Sequence, residues 1–153
     1  MLFGTTDDLA RYGSMLLANG VLDGARVLSP LSVARMTRPA TTFGTGEQRG
    51  LGRDISSRYS SNRRDLFSTE SYGHTGFTGT SIWIDPATQT VVVFLSNRLH
   101  PNGAGNVTVL RGRVATAAAA VTIDVTRENE SNRPVRTGID RLQDEANGLL
   151  AVR

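Results

Sequence analysis

The stretch Tyr72–Asn97, YGHTGFTGTSIWIDPATQTVVVFLSN, constrains this chain more than any other. Val91, Val92, Val93, Phe94 and Leu95 are consecutive, β-branched or large, and uncharged. An apolar run this short suits a strand buried on both faces. Ser81–Ile84, with Trp83 between two isoleucines, suits its neighbour. Between them Asp85–Thr90 has turn chemistry. The pattern predicts a β-hairpin at the centre of an antiparallel sheet. A polar, glycine-rich edge carrying His74 and three threonines leads into it.

The flanking segments predict helices around that sheet. Thr5-Thr6-Asp7-Asp8 reads as a hydroxyl N-cap followed by acids in the first turn, where they oppose the positive helix end. Leu9, Tyr12, Leu16 and Leu17 recur at helical spacing, and Asn19-Gly20 reads as the stop. Val27-Leu28 is a short extended piece, and Ser29-Pro30 opens a second helix ending near Arg38. Residues 40–50 read as loop, Gly50–Ile55 as a strand, and the serine-rich residues 56–71 as solvated loop. After a turn-rich loop at 98–105, Asn106–Val121 reads as a helix, with Val107, Leu110, Val114, Ala117, Ala118 and Val121 in a 3.6 period. The fold class is α+β, an antiparallel sheet with packed helices. Thr126–Pro134 is polar and charged and reads as a linker. Three segments follow: 1–123, a linker at 124–134, and the start of something new at 135–153.

Composition removes several kinds of chemistry. The chain has no cysteine, so disulfides, thiolate catalysis and cysteine-bound metals are excluded. His74 and His100 are distant in sequence and no His-Glu-x-x-His occurs, so no metal site is expected. No cofactor is expected either; Gly44–Gly50 is glycine-rich, but no Gly-Lys-Ser/Thr follows to make a phosphate cradle. All 17 basic residues are arginine, dispersed along the chain, and the net charge is only +3. That is solvated surface rather than a nucleic-acid footprint. No run approaches the roughly 18–20 apolar residues of a membrane span. No basic-then-apolar leader opens the chain, and Met1–Gly4 runs almost straight into a helix, as in a piece cut from a longer protein.

The glycine-rich edge carries a resemblance. His74-Thr75-Gly76 resembles the Lys-Thr-Gly triad of the serine β-lactamase and penicillin-binding-protein superfamily, with His in place of Lys. The longer string GHTGFTGTSIWIDP, followed by a strand ending in SNR, is similar to the form in class C-like and esterase-like members. The resemblance runs from about Thr5 to Ile123. It implies an acyl-enzyme mechanism in which an activated serine attacks an ester or amide carbonyl and water then releases the acyl group. The second oxyanion donor would be the backbone N–H of Phe77. His74 would face the cleft and adjust the proton balance, and Thr75 would offer its hydroxyl to substrate. Gly76 would let substrate lie close to the strand. Asn102 and Arg111 match the loop asparagine and helix arginine that lie near the substrate carboxylate in class C relatives. Arg53 stands where relatives carry tryptophan, so that strand face is expected to be more exposed. Tyr59-Ser60-Ser61-Asn62 is reminiscent of the superfamily's Tyr-x-Asn, but its spacing and its place near His74 differ, and it reads as loop.

The superfamily nucleophile sits in Ser-x-x-Lys, and this chain has no lysine. The expected reading is therefore a fragment of a serine hydrolase, inactive alone. It would supply one wall of the active site, and the missing N-terminal part of the same domain would be its partner. The parent would be periplasmic or secreted and would act on peptidoglycan-like peptides, β-lactams or esters. Two alternatives stay open: a non-catalytic peptidoglycan- or β-lactam-binding module, and a plain α+β domain whose HTGFTGT is only a tight turn. Val135-Arg136-Thr137-Gly138-Ile139-Asp140-Arg141-Leu142 resembles the opening of the exo-acting N-acetylmuramidase family, implying the start of a second domain.

Overall fold

The computed structural model describes residues 3–42, 44, 46–60, 63 and 66–131. Helix α1 (Thr6–Leu17) starts on a capping box: Thr5 Oγ1 accepts from Asp8 N–H, and the Asp8 carboxylate accepts from Thr5 N–H at 2.7 Å. A short hairpin follows, β1 (Val21–Leu22) and β2 (Ala25–Arg26). Its turn, Asp23-Gly24, has both residues at positive φ, 49° and 78°. An Asp-Gly pair announces such a two-residue hairpin, and the sequence reading passed over it. Ser29 caps α2 (Pro30–Thr37) with its hydroxyl on Ser32 N–H at 3.0 Å.

The main sheet is antiparallel and six-stranded, in sequence order: β3 (Thr41–Thr42), β4 (Gln48–Gly50), β5 (Arg53–Ser56), β6 (Tyr72–Thr75), β7 (Ser81–Asp85) and β8 (Thr90–Phe94). The expected α+β architecture is what is observed. Three local expectations change. Residues 40–50 are not all loop, because β3 and β4 pair with Thr41 opposite Arg49. The strand expected at Gly50–Ile55 is broken by a turn at Leu51-Gly52, so Gly50 ends β4 and Arg53 begins β5. The apolar run Val91–Leu95 forms β8 at the edge of the sheet, not its centre; Val92 alone among them is fully buried and Leu95 is 41% exposed. The strand buried throughout is β7.

Successive residues of a strand point to opposite faces. Ile82, Ile84 and Tyr72 meet Met15, Leu16, Val33 and Ile55, so α1 and α2 cover one face. Trp83 and Val92 meet Phe67, Ala115 and Ala119, so the first part of helix α3 (Thr108–Ser131) covers the other. The tryptophan, 1% exposed, lies over Gly73, its cross-strand partner. Arg53 is less exposed than expected: it is half-buried, with its guanidinium 5.0 Å from the centre of the Tyr12 ring. Burial pushes the Arg53 guanidinium below its usual value and raises the Tyr72 phenol.

Helix α3 begins at Thr108 rather than Asn106 and continues to Ser131, so the polar stretch expected to open a linker at Thr126 is helical as far as Ser131. Contacts divide the chain into two units between Ile123 and Asp124. The stretch at 135–153, expected from its resemblance to open a second domain, lies outside the described residues. Among the described residues, no helix is long and apolar enough to cross a membrane.

Candidate active site

The edge of β6 opens into a cavity of about 770 Å³. Antiparallel pairing fixes that edge: His74 lies opposite Ile82, and Thr75 opposite Ser81. The chain then turns at Gly76–Gly79, closed by Gly76 N–H to Thr80 O at 2.7 Å and Gly79 N–H to Gly76 O at 3.1 Å. The side of Gly76 that a Cβ would occupy is filled from within, since that atom would lie 2.2 Å from Thr80 Oγ1. Glycine at this position is therefore demanded by the turn itself.

His74, Thr75, Gly76, Phe77 and Arg111 all line the cavity. Asn102 does not. It is exposed in the 98–105 loop, where its Oδ1 accepts from Ala104 N–H at 3.2 Å. Asn106 is the asparagine at the cavity wall, with Oδ1 accepting from Thr108 N–H at 3.0 Å as α3 begins. Tyr59, read from sequence as plain loop, also lines the cavity, 51% exposed beside Arg58. The His74 imidazole and the Thr75 hydroxyl have no hydrogen-bond partner among the described residues.

The cavity's charge is the feature that sequence reasoning missed. Arg49, Arg58, Arg98 and Arg111 line it with one acid, Asp54. Arg58 is paired with Glu47 at 3.3 Å. Asp54, 2% exposed, accepts from Ser60 Oγ at 3.1 Å, and its Oδ1 has no partner among the described residues. Arg98 donates to Phe77 O through Nε and to Gly105 O through Nη1 at 3.0 Å, with its guanidinium 4.4 Å from the centre of the Phe77 ring. Arg111, 7% exposed, donates to Gly76 O at 3.3 Å. Burial, and secondarily the Arg98 charge, pull the Arg111 guanidinium below its usual value. Among the described residues neither Arg98 nor Arg111 meets a carboxylate, so two neighbouring positive charges at the cavity lack counter-ions. Such a site favours anionic groups, because a desolvated cation gains most from a partner of opposite sign. Among the described residues, no cluster of His, Cys, Asp and Glu could hold a metal ion.

Helices on both faces of an antiparallel sheet make a β-lactamase-like fold, and its His-Thr-Gly edge opens on a basic cavity. The family model described as beta-lactamase matches residues 1–117, and the chain belongs to the beta-lactamase family. Its sequence is 32% identical over 102 residues to candidate D-alanyl-D-alanine carboxypeptidases of Salmonella paratyphi B and Salmonella newport; the match covers 65% of this chain and 23% of theirs. Among solved structures, a beta-lactamase of Mycobacterium bovis superposes with a TM-score of 0.54 at 25% identity, over 78% of this chain and 44% of that one. A family VIII carboxylesterase shares the fold, with a TM-score of 0.50 at 21% identity over 71% of this chain and 29% of that one. The chain thus spans about a quarter of the length of these curated relatives.

Proposed function

We propose that this chain supplies the His-Thr-Gly wall and one oxyanion N–H of a serine hydrolase that works through an acyl-enzyme. The serine and its activating lysine would come from a part of the same domain outside these residues. The observation that carries the reading is the grouping of His74, Thr75, Gly76 and Phe77 on one edge of a cavity with two guanidiniums that lack counter-ions. In this reading the substrate's carbonyl lies along β6, its oxygen accepting from Phe77 N–H. Thr75 Oγ1 donates to the substrate, and Arg111 and Arg98 draw in its carboxylate. His74 handles a proton near the nucleophile. Asn102, outside the cavity wall, would act only through the 98–105 loop. The substrate class is a D-alanyl peptide, a β-lactam or an ester, which suits an exported protein working on the cell wall. Residues 124–134 would link this domain to a second one beginning at 135.

The test is His74→Ala in the full-length protein. The acylation rate should fall roughly 10²–10⁴-fold, the range for a positioned proton-handling group. The melting temperature should hardly move, since His74 is exposed. Intact acylation by the variant would remove the assignment. A second reading is a binding module without turnover, since no Ser-x-x-Lys occurs within these 153 residues. It predicts that the full-length protein binds a fluorescent penicillin reversibly and forms no covalent adduct.

A further inference from the structure

Arg111 is an expensive residue where it stands. It is 7% exposed, its Nε has no hydrogen-bond partner among the described residues, and the charge that acts on it is the like charge of Arg98. Burying a guanidinium without a carboxylate costs free energy that only a specific interaction offsets. The interaction it makes is with Gly76 O, at 3.3 Å. That carbonyl belongs to the same peptide unit as Phe77 N–H. The unit is planar and trans, so C=O and N–H point in opposite directions. A donor holding the carbonyl from the α3 side therefore turns Phe77 N–H away from α3. Gly79 N–H donates to the same oxygen at 3.1 Å, and Arg98 holds the next carbonyl, Phe77 O, so both peptide units around Phe77 are fixed. Phe77 N–H itself has no acceptor among the described residues.

We infer that Arg111 is a positioning residue for the oxyanion donor: its guanidinium clamps the Gly76–Phe77 peptide and polarises it, so that Phe77 N–H is both aimed and strengthened. This rests on the proposed hydrolase reading and goes beyond carboxylate capture, the role that the resemblance implies for Arg111. A charged donor on a peptide carbonyl draws electron density through the amide and makes the N–H of that unit a better donor, as in any hydrogen-bond chain. The effect is present before substrate arrives, as preorganised oxyanion stabilisation requires. It also acts on any substrate carbonyl, whether or not the substrate carries a carboxylate.

That independence separates the two roles. In the full-length protein, acylation by a neutral p-nitrophenyl ester should slow by roughly 10- to 100-fold in Arg111→Ala, somewhat less than loss of a whole oxyanion donor. The fall should lie in kcat with KM nearly unchanged, and Arg111→Lys should recover part of it. An unchanged rate on the neutral ester, with KM raised only for a carboxylate-bearing substrate, would overturn the clamp and leave the hydrolase reading standing. A second arm needs no catalysis. In the 15N-labelled 153-residue chain, the Phe77 amide resonance should move upfield in Arg111→Ala and return toward wild type in Arg111→Lys, with unchanged Trp83 fluorescence showing that both variants fold. A Phe77 resonance indifferent to Arg111 would overturn the inference even if the enzyme is active. Should the wild-type full-length protein hydrolyse neither the neutral ester nor the carboxylate-bearing substrate, the hydrolase reading falls and the Phe77 resonance alone decides whether the clamp exists.

Discussion

Asp85→Ala should be among the most damaging single changes in the chain. The carboxylate closes β7 and is 1% exposed. It accepts from Ser68 Oγ at 2.5 Å, from Ser68 N–H at 2.9 Å and from Ala87 N–H at 3.0 Å. Ser68 O in turn accepts from Ser71 Oγ at 2.7 Å, and Ser71 leads directly into β6 and His74. Asp85 thus fastens the approach to the candidate site as well as the β7–β8 turn. Hydrogen bonds to a charged group contribute about 1.5–3 kcal/mol each, and truncation would leave the N–H of half-buried Ser68 and of exposed Ala87 without their acceptor. Relief of the carboxylate's own desolvation offsets part of the loss, leaving about 3–5 kcal/mol. That is a third or more of the stability of an ordinary domain, and about 10–20 °C in melting temperature. Trp83, the single tryptophan and 1% exposed, reports unfolding in urea. Asp85→Asn, which keeps one acceptor, should fall between wild type and Asp85→Ala. A loss below about 1 kcal/mol in Asp85→Ala would refute the reasoning, because it would mean these donors are readily satisfied by water.

The Trp83 Nε1 donor is buried without a partner among the described residues, so Trp83→Phe should remove a desolvated N–H as well as volume and cost less than about 1.5 kcal/mol, against about 3–5 for Trp83→Ala. Urea unfolding followed by circular dichroism checks this, and equal losses in the two variants would contradict it. The Asp8 carboxyl is held below its usual value by Thr5 N–H and then by the Thr5 hydroxyl, so its contribution is complete at neutral pH and fades as pH falls through its folded-state value. The stability difference between wild type and Asp8→Asn should therefore be largest at neutral pH and vanish in acid, and a difference constant with pH would count against the capping box.

The central hairpin was legible because its signals are local: β-branched runs, an Asp-Pro turn and a glycine-rich edge each act within a few residues. The place of β8 in the sheet was not. An uncharged run looks the same whether strands flank it on both sides or a helix covers one face, and only the tertiary contact with α1 distinguishes them. Gly13 makes that contact possible, since a Cβ there would lie 2.6 Å from Val91 Cγ1. Helix α3 was placed nearly correctly, but its buried face is rotated from the apolar stripe. Val114 and Ala118 of that stripe pack against the sheet's core, yet Leu110 and Val121 are 51% and 67% exposed, and the buried face carries Arg111, Ala115 and Ala119. The tryptophan explains the rotation. Trp83 already fills the space under the helix, so alanines allow the close approach, whereas leucine would hold the helix away. The same rotation carries Arg111, one turn before Ala115, inward onto Gly76 O. Periodicity ranks residues by hydrophobicity and cannot see which neighbour has claimed the volume; the alanines at 115 and 117–120 were the signal for a close approach to the sheet, and Arg111 was reached only through the resemblance. The cavity's basic character was hidden for a similar reason. Arg49, Arg58 and Arg98 are scattered in sequence and read there as solvated surface, Arg111 was placed near the site by the resemblance alone, and only the antiparallel pairing and the seating of α3 bring the four to one wall.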